Sequence, residues 1–225
     1  MATDPVERMK FVMTTTLSFL QPCHVFEKPL NPILGETMQG KLADGSAIYM
    51  EQVCHHPPIS YQMQEGPDQL YRWSGYSSFT TRVHMNSIDL DVKGGKTLTF
   101  KDGGCIKYTP HQDKFHNSLW GTLVHCLTGT CDFTDEQNGI TATYTIGIKK
   151  GRDYFKGEIK KDGKVVSTLS GTYMGYIEWD GERWWDIRSM QNFKIIEPPL
   201  DKVLSSDWRN RSDTRALVAD DVVQA

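Results

Sequence analysis

The sequence predicts a mainly β protein, an antiparallel sheet that is preceded and followed by a short helix. Six turn dipeptides divide residues 37 to about 188 into short segments: Asp44-Gly45, Gly94-Gly95, Asp102-Gly103, Asn138-Gly139, Asp162-Gly163 and Asp180-Gly181. Gly, Asn and Asp tolerate the positive φ angles that tight hairpins require. The segments between these turns are rich in β-branched and aromatic residues, so we expect ten to twelve strands. A sandwich and a closed barrel both satisfy this pattern.

Four segments show the alternation of a strand most clearly: residues 88–92, 97–100, 141–148 and 164–176. Alternation with a period of two places one face of a strand towards the core and the other towards solvent. We therefore expect each of these segments to form one strand.

The opening segment predicts an amphipathic helix. Thr3 or Asp4 is a suitable N-cap and Pro5 fits the first turn. Pro22 is expected to end the helix, because its ring and missing N–H cannot continue the backbone ladder. The apolar stripe at helical spacing consists of Val6, Met9, Met13, Leu17 and Leu20. Near the other end, the Ser212-Asp213 pair predicts the cap of a helical tail that runs from Thr214 towards Ala225.

Composition favours a single domain over residues 1–225. With 38% hydrophobic residues, a chain of this length buries a core without disulfide or metal cross-links. Lysine and arginine number 25 against 28 aspartates and glutamates, and this net charge of −3 argues against a dedicated nucleic-acid-binding protein.

The sequence also bears on the compartment. No apolar run exceeds four residues, whereas a membrane-spanning helix needs about 20, and residues 1–5 do not resemble a signal peptide. Five scattered cysteines, an odd number, are typical of free thiols in a reducing compartment. Cys126 and Cys131 lie beside His125, but no second ligand pair has the spacing of a zinc site, so we predict buried thiols. A cytoplasmic protein is expected.

The densest chemical feature lies at residues 51–58, which read Glu-Gln-Val-Cys-His-His-Pro-Pro. Neighbouring side chains of a regular strand point to opposite faces, but two prolines disturb that geometry and can direct both imidazoles towards one site. A metal site would need further ligands at a recognisable spacing, and none is present. An anion site would need imidazole donors beside a cation and free backbone N–H groups. Local packing of the histidines at a strand end is the alternative.

A second feature lies at residues 28–36, where Lys28 and Asn31 occur in a segment held extended by two prolines. A backbone that is fixed in advance loses less entropy when a ligand binds. The segment is either part of a binding site or a connection from the helix to the sheet.

Together the two segments resemble the oxysterol-binding-protein-related family of lipid transfer proteins. The family signature E-Q-V-S-H-H-P-P is matched at residues 51–58 with Cys54 in place of serine, and K-P-x-N-P-x-L-G-E is matched at residues 28–36. Pro5-x-Glu7-Arg8-Met9 matches the opening helix. Residues 206–213 resemble the family's S-D-S-R-x-R-P-D. The matches occur in order over nearly the whole chain.

The resemblance implies an incomplete antiparallel β-barrel around an apolar lipid tunnel, without a cofactor or a metal. It implies a carrier at membrane surfaces or contact sites that extracts phosphatidylinositol 4-phosphate, and a sterol or phospholipid as second ligand, and exchanges them between membranes. By position, Lys28, His55 and His56 contact the 4-phosphate, while Asn31 and the backbone near Leu30 hold the headgroup.

Two family segments are expected to be missing: a lid before the first helix, and a charged helix after the last motif. A phosphoinositide sensor without transfer activity is therefore one alternative. A less favoured one is a hydrolase that uses His55 or His56 as base and Glu51 or Glu36 to orient it, with Cys54 as nucleophile. Residues 149–164 carry seven cations against three carboxylates, which indicates either a solvated hairpin or contact with an anionic membrane.

Overall fold

The structure, a computed structural model, describes residues 2–20, 30–148, 150–191 and 194–219. Its helices are α1 (Pro5–Ser18) and α2 (Ser212–Val218). The strands are β1 Thr37–Lys41, β2 Ala47–Cys54, β3 Ile59–Glu65, β4 Tyr71–Val83, β5 Ser87–Lys93, β6 Lys96–Phe100, β7 Cys105–Tyr108, β8 Gln112–His116, β9 Val124–Asp135, β10 Ile140–Ile146, β11 Tyr154–Lys161, β12 Lys164–Thr172, β13 Tyr176–Trp179 and β14 Glu182–Asp186.

All these strands belong to one antiparallel sheet, whose main path runs β1-β2-β3-β4-β5-β8-β9-β10-β11-β12-β13-β14. The long strand β4 divides one of its edges between β5 and β6, and β9 divides one of its edges between β8 and β7. Since β6 also pairs with β7, six strands close a ring inside a sheet that is otherwise open. The prediction of an incomplete antiparallel barrel is confirmed, with fourteen described strands instead of ten to twelve.

The hairpin turns follow the predicted dipeptides. Asp162 and Gly163 have φ angles of 48° and 78°, and Asp180 and Gly181 have 52° and 87°, so both residues of each pair use the left-handed region. The prediction of one strand over residues 164–176 is wrong. The chain turns between β12 and β13, where the Gly175 N–H donates to the carbonyl of Thr172 at 3.0 Å.

Helix α1 begins as predicted, because the Asp4 carboxylate accepts a hydrogen bond from the Glu7 N–H at 2.8 Å. Its stripe is fully buried at Met9, Met13 and Leu17 against the β9–β14 half of the sheet. Each such side chain contributes about 1.5–3 kcal/mol by leaving water. The helix ends at Ser18, and Pro22 lies outside the described residues.

The second helix differs from the prediction at its start. It begins at Ser212, its N-cap position is Arg211, and no side chain caps it. The described helix ends at Val218, whereas the predicted extension towards Ala225 falls on residues outside the description. No helix among the described residues has both the length and the apolar character to cross a bilayer.

One row of cross-strand neighbours follows the inner face across ten strands. Ladder partners point to the same side of a sheet, so these residues share one face. The row reads Met38, Met50, Gln62, Gly75, Lys96, Tyr108, Phe133, Ala142, Ile159 and Ser167. From Phe133 onwards its members are buried, whereas Met50 is 38% exposed.

Strand direction places several connections at one end of the sheet. Because neighbouring strands are antiparallel, the β2–β3, β4–β5, β8–β9 and β10–β11 connections all lie at the same end. The β2–β3 connection contains His55 and His56, so we name this end the histidine end. The β6–β7 and β11–β12 turns lie at the opposite end.

Candidate functional site

The two histidines lie side by side in the exposed turn between β2 and β3. Their ring centroids are 4.6 Å apart and the ring planes are inclined by 63°. A register shift between Gln52 and Cys54 interrupts the pairing of β2 with β3 immediately before the turn. The two imidazoles therefore lie against each other, and their assignment to one binding site stays a prediction.

The side chain of Gln52 holds the ends of β2 and β3 on either side of the histidine turn. Its side chain is buried, donates to the carbonyl of Cys54 at 2.8 Å, and accepts from the Ser60 hydroxyl at 2.6 Å. The first bond lies within the end of β2, and the second connects β2 to the first residues of β3. They fix the strand ends between which the histidine turn is held.

The same residue holds the second sequence segment. The Gly35 N–H donates to the Gln52 carbonyl at 2.8 Å, and the Gln52 N–H donates to the Glu36 carbonyl at 3.0 Å. Gly35 has a φ of 79°, a conformation that glycine adopts without steric cost. The two motifs therefore meet in space, as expected if they serve one site.

A third segment joins them through Arg211. Its guanidinium donates to the Asn31 carbonyl at 2.8 Å and to the Glu36 carboxylate at 2.6 Å, and it also pairs with Asp213. The Asp213 partner, followed by Glu36, raises the pKa of Arg211, so the cation persists at any physiological pH. Residues 30–36, 51–58 and 206–213 thus converge, although more than 150 residues separate the first from the last.

The structure describes four of the five predicted site residues, and these four differ in exposure and contacts. His55 and His56 are exposed and in contact, Leu30 is half-buried, and Asn31 is exposed with its carbonyl held by Arg211. Lys28 lies outside the described residues, so its role stays a prediction. The assignment of all five to a phosphate-bearing headgroup stays a prediction too.

Sequence reasoning did not assign roles to Gln52, Glu36 as an ion-pair partner, or Arg211. Each lies inside a matched motif, which was the available signal. These side chains bond to other groups of the protein. They therefore position residues 30–36 and the histidine turn.

Arg8, from the fourth matched segment, lies elsewhere. It is buried, pairs with Asp102 in the β6–β7 turn, and stacks over Phe100 with its guanidinium carbon 4.6 Å from the ring centroid. This turn lies at the end opposite the histidines. The match in the opening helix therefore has a structural explanation, the attachment of α1 to the sheet.

Lys96 is a buried cation on the inner face near the centre of the row. Its ammonium donates to the Tyr76 carbonyl at 3.1 Å and to the Ser77 hydroxyl at 2.9 Å. Desolvation by burial lowers its pKa to about 8. The amine satisfies a carbonyl at the point where β4 changes partner from β6 to β5.

The cysteine pair beside His125 forms no metal cluster in the part of the chain that the structure describes. Cys126 and Cys131 are free and buried, as predicted, and burial raises the pKa of the Cys131 thiol to about 12. His125 contacts the Asp113 carboxylate at 2.7 Å and stacks on Phe115. Of these groups, Cys131 belongs to the hydrophobic core cluster.

Within the described residues, the fold is an antiparallel sheet with a ring of six strands, a partly exposed inner face on β1–β3 and an exposed polar turn between β2 and β3. The comparison with family models is more specific. The model of the oxysterol-binding protein family matches residues 1–225. The chain belongs to this family.

Curated relatives agree with that assignment. Oxysterol-binding protein 9 of Dictyostelium discoideum is 30% identical over 95% of this chain and 56% of its own length. Oxysterol-binding protein-related protein 8 of Mus musculus is 29% identical over 92% of this chain and 24% of its own length. The chain thus spans about half of the first relative and a quarter of the second.

Solved structures share the fold. The ORD domain of Osh1 in complex with ergosterol superposes with a TM-score of 0.86, at 21% identity, over 99% of this chain and 63% of that domain's chain. The ORD of Osh3 from Saccharomyces cerevisiae in complex with PI(4)P gives a TM-score of 0.80 at 22% identity, over 99% and 66% of the two chains.

Proposed function

We propose that this chain is a lipid-binding domain that takes up phosphatidylinositol 4-phosphate, with its headgroup at the histidine turn and its acyl chains along the inner face of β1–β4. The observation that carries the proposal is the convergence of residues 30–36, 51–58 and 206–213 around a histidine pair at the rim of that face. The Osh3 structure with bound PI(4)P supports the choice of lipid.

The chemistry of the turn suits a phosphate monoester. Such a group carries roughly −1.5 to −2 charges and three strong acceptor oxygens. The imidazoles of His55 and His56 are exposed, so a ligand can approach their N–H groups. Lys28 and Asn31 are proposed to add a cation and an amide donor to the same headgroup.

The inner face of β1–β4 suits an apolar chain with polar attachment points. Met38 and Met50 lie in one row, and methionine adapts its shape to irregular ligands. Each CH₂ group buried there contributes about 0.8 kcal/mol, which offsets the loss of the lipid from its bilayer. The enclosed apolar tunnel implied by the family resemblance stays a prediction, because described residues cover this face only in part.

A second ligand, a sterol or a phospholipid, is proposed to occupy the same face in alternation with the phosphoinositide. The Osh1 structures with ergosterol and cholesterol support the sterol. Mutually exclusive occupancy lets a gradient of one lipid drive movement of the other, which is the exchange function. The sensor alternative lacks only this last step, so transfer between vesicles separates the two.

The hydrolase alternative is weakened by two contacts. The Glu36 carboxylate that would orient a histidine base is engaged by Arg211 and by the Ile33 N–H. Glu51 lies in β2 opposite Thr37 and Tyr61, on the outer face. We therefore propose a carrier without catalytic function.

Extraction of labelled phosphatidylinositol 4-phosphate from liposomes tests the proposal. The parent chain is expected to extract the lipid, and the His55→Ala/His56→Ala variant is expected to lose at least tenfold in extraction. Arg72→Ala is the matched control, because Arg72 is an exposed cation at the far end of β4. Equal extraction by the parent and the double variant would remove the headgroup assignment. Extraction without vesicle-to-vesicle transfer would favour the sensor.

A further inference from the structure

The histidine end also carries a cluster of exposed apolar side chains on two neighbouring connections. Val83, the last residue of β4, is 75% exposed, and Met85 in the β4–β5 connection is 81% exposed. In the β8–β9 connection, Leu119 is 73% and Trp120 57% exposed, and Leu123 is exposed beside them. We name Val83, Met85, Leu119, Trp120 and Leu123 the apolar tip. Water-exposed apolar groups gathered in one place mark an interaction site more often than scattered ones do.

The side chain of Asn86 joins the two connections of the apolar tip by hydrogen bonds. Its Oδ1 accepts from the N–H groups of Leu119 and Trp120 at 3.0 and 3.2 Å, and its Nδ2 donates to the Trp120 carbonyl at 3.2 Å. Its backbone carbonyl accepts from the Asn117 N–H at 2.9 Å. The two connections are therefore one ordered unit, so contact with a partner costs less conformational entropy than ordering two free loops.

The charge of the tip favours a lipid surface as its partner. Residues 83–86 and 117–123 contain no aspartate or glutamate. On the neighbouring β10–β11 connection, at the same end, Lys150 and Arg152 are exposed. Tryptophan has an apolar ring with one polar N–H and prefers the interface between headgroups and acyl chains. Nearby cations add about 1 kcal/mol each where the lipid is anionic.

The geometry relates the tip to the histidine turn. The Phe79 N–H donates to the Pro58 carbonyl at 3.1 Å, so the histidine turn lies beside the middle of β4. Four further residues of strand lead from Phe79 to Val83, roughly 13 Å at about 3.3 Å per residue. An apolar segment at an interface is buried by about 5–10 Å. A tip at that depth leaves the histidine turn near the level of the headgroups.

We propose that the apolar tip docks this chain on a lipid bilayer, with Leu119 and Trp120 inserted and with Lys150 and Arg152 over anionic headgroups. The proposal rests on the proposed function, for which it supplies the surface of contact. The proposal also assigns only part of the basic run of residues 149–164 to the membrane contact. Lys150 and Arg152 lie at the histidine end, whereas Lys161 and Lys164 flank the β11–β12 turn at the opposite end, so one flat membrane does not contact both groups.

Flotation with vesicles of phosphatidylcholine and phosphatidylserine, without any phosphoinositide, tests docking separately from headgroup recognition. The parent chain is expected to float, and Leu119→Asp/Trp120→Asp is expected to weaken vesicle affinity at least tenfold. Val165→Asp/Val166→Asp is the matched control, because these valines are 50% and 48% exposed on β12 near the opposite end. Circular dichroism and thermal unfolding of each variant establish that it is folded.

Unchanged flotation of the tip variant, or a parent that does not float, would overturn the proposal. If gel filtration shows that the parent self-associates, and the tip variant is monomeric but floats normally, the tip is a contact between copies and the proposal is likewise overturned. The His55→Ala/His56→Ala variant is expected to float like the parent while losing extraction. Failure of docking with intact histidine-dependent extraction would leave the proposed function in place.

Discussion

The two halves of the inner face are formed by one continuous row of the same sheet, yet they are covered differently. In the β9–β12 half, Phe133, Ala142 and Ile159 are buried beneath α1 and the strands that follow. In the β1–β3 half, Met38 and Gln62 are half-buried and Met50 is exposed. The first half forms the hydrophobic core of the fold, whereas the side chains of the second are only partly buried by the described residues.

The composition of each half follows from this difference. A buried face must be apolar and closely packed, because voids and unpaired polar groups are costly there. The β1–β3 half contains the buried Gln52 and the half-buried Gln62 and Gln64 beside methionines, and the amides of Gln52 and Gln64 make hydrogen bonds within the sheet. Such a surface combines polar groups with exposed apolar area. Stability and binding are therefore expected to depend on different halves.

Truncation of side chains within the row tests most directly whether the two halves contribute differently to stability. Ile159→Ala removes a fully buried side chain and is expected to cost about 2–5 kcal/mol of unfolding free energy. Met50→Ala, in the same row but 38% exposed, is expected to cost less than about 1 kcal/mol. Urea denaturation of both variants measures the difference. Similar losses would show that the β1–β3 half is part of the core.

Substitution of Arg211 tests whether ligand binding depends on the position of residues 30–36. Arg211→Ala removes the cation that joins Asn31, Glu36 and Asp213, so residues 30–36 are expected to lose their fixed position. We expect a loss of about tenfold in phosphoinositide extraction, or ~1.4 kcal/mol. Arg183→Ala is the control, since Arg183 also pairs with two carboxylates but on β14. Equal extraction by both variants would contradict a positioning role for Arg211.

Lys96, at the junction of the two halves, provides the most specific test, because its effect depends on pH. Its pKa is lowered to about 8 in the folded chain from 10.5, because burial disfavours the charged form. Between these pH values the unfolded chain binds more protons, so the unfolding free energy rises with pH. We expect this rise to be reduced in Lys96→Met. Parallel pH profiles for the parent and this variant would show that the amine is hydrated in the folded state.

Local features were the best predicted from the sequence. The dipeptides Asp162-Gly163 and Asp180-Gly181 form turns because their own residue types permit positive φ. Asp4 caps α1 because its side chain reaches the Glu7 N–H only three residues away. These outcomes need no knowledge of distant parts of the chain.

Non-local features were not predicted. The division of β4 between β5 and β6 depends on pairing between separate segments, which residue patterns do not record. The bond from Arg211 to Glu36 spans 175 positions and was visible only as two separate motifs. The break before β13 was missed because the strand pattern of residues 164–176 continues across the turn at Gly175.

The segment that follows β14 has a second consequence for the molecule. Ile196 pairs with Lys41 in both directions, and the Thr37 N–H donates to the Ser206 carbonyl, so these residues cover the outer edge of β1. An uncovered edge strand is a template for pairing with another chain. Any change that detaches residues 196–207 is therefore expected to promote aggregation as well as release Arg211. Solubility and the position of residues 30–36 are therefore expected to depend on one stretch of chain, which limits how freely that stretch can vary.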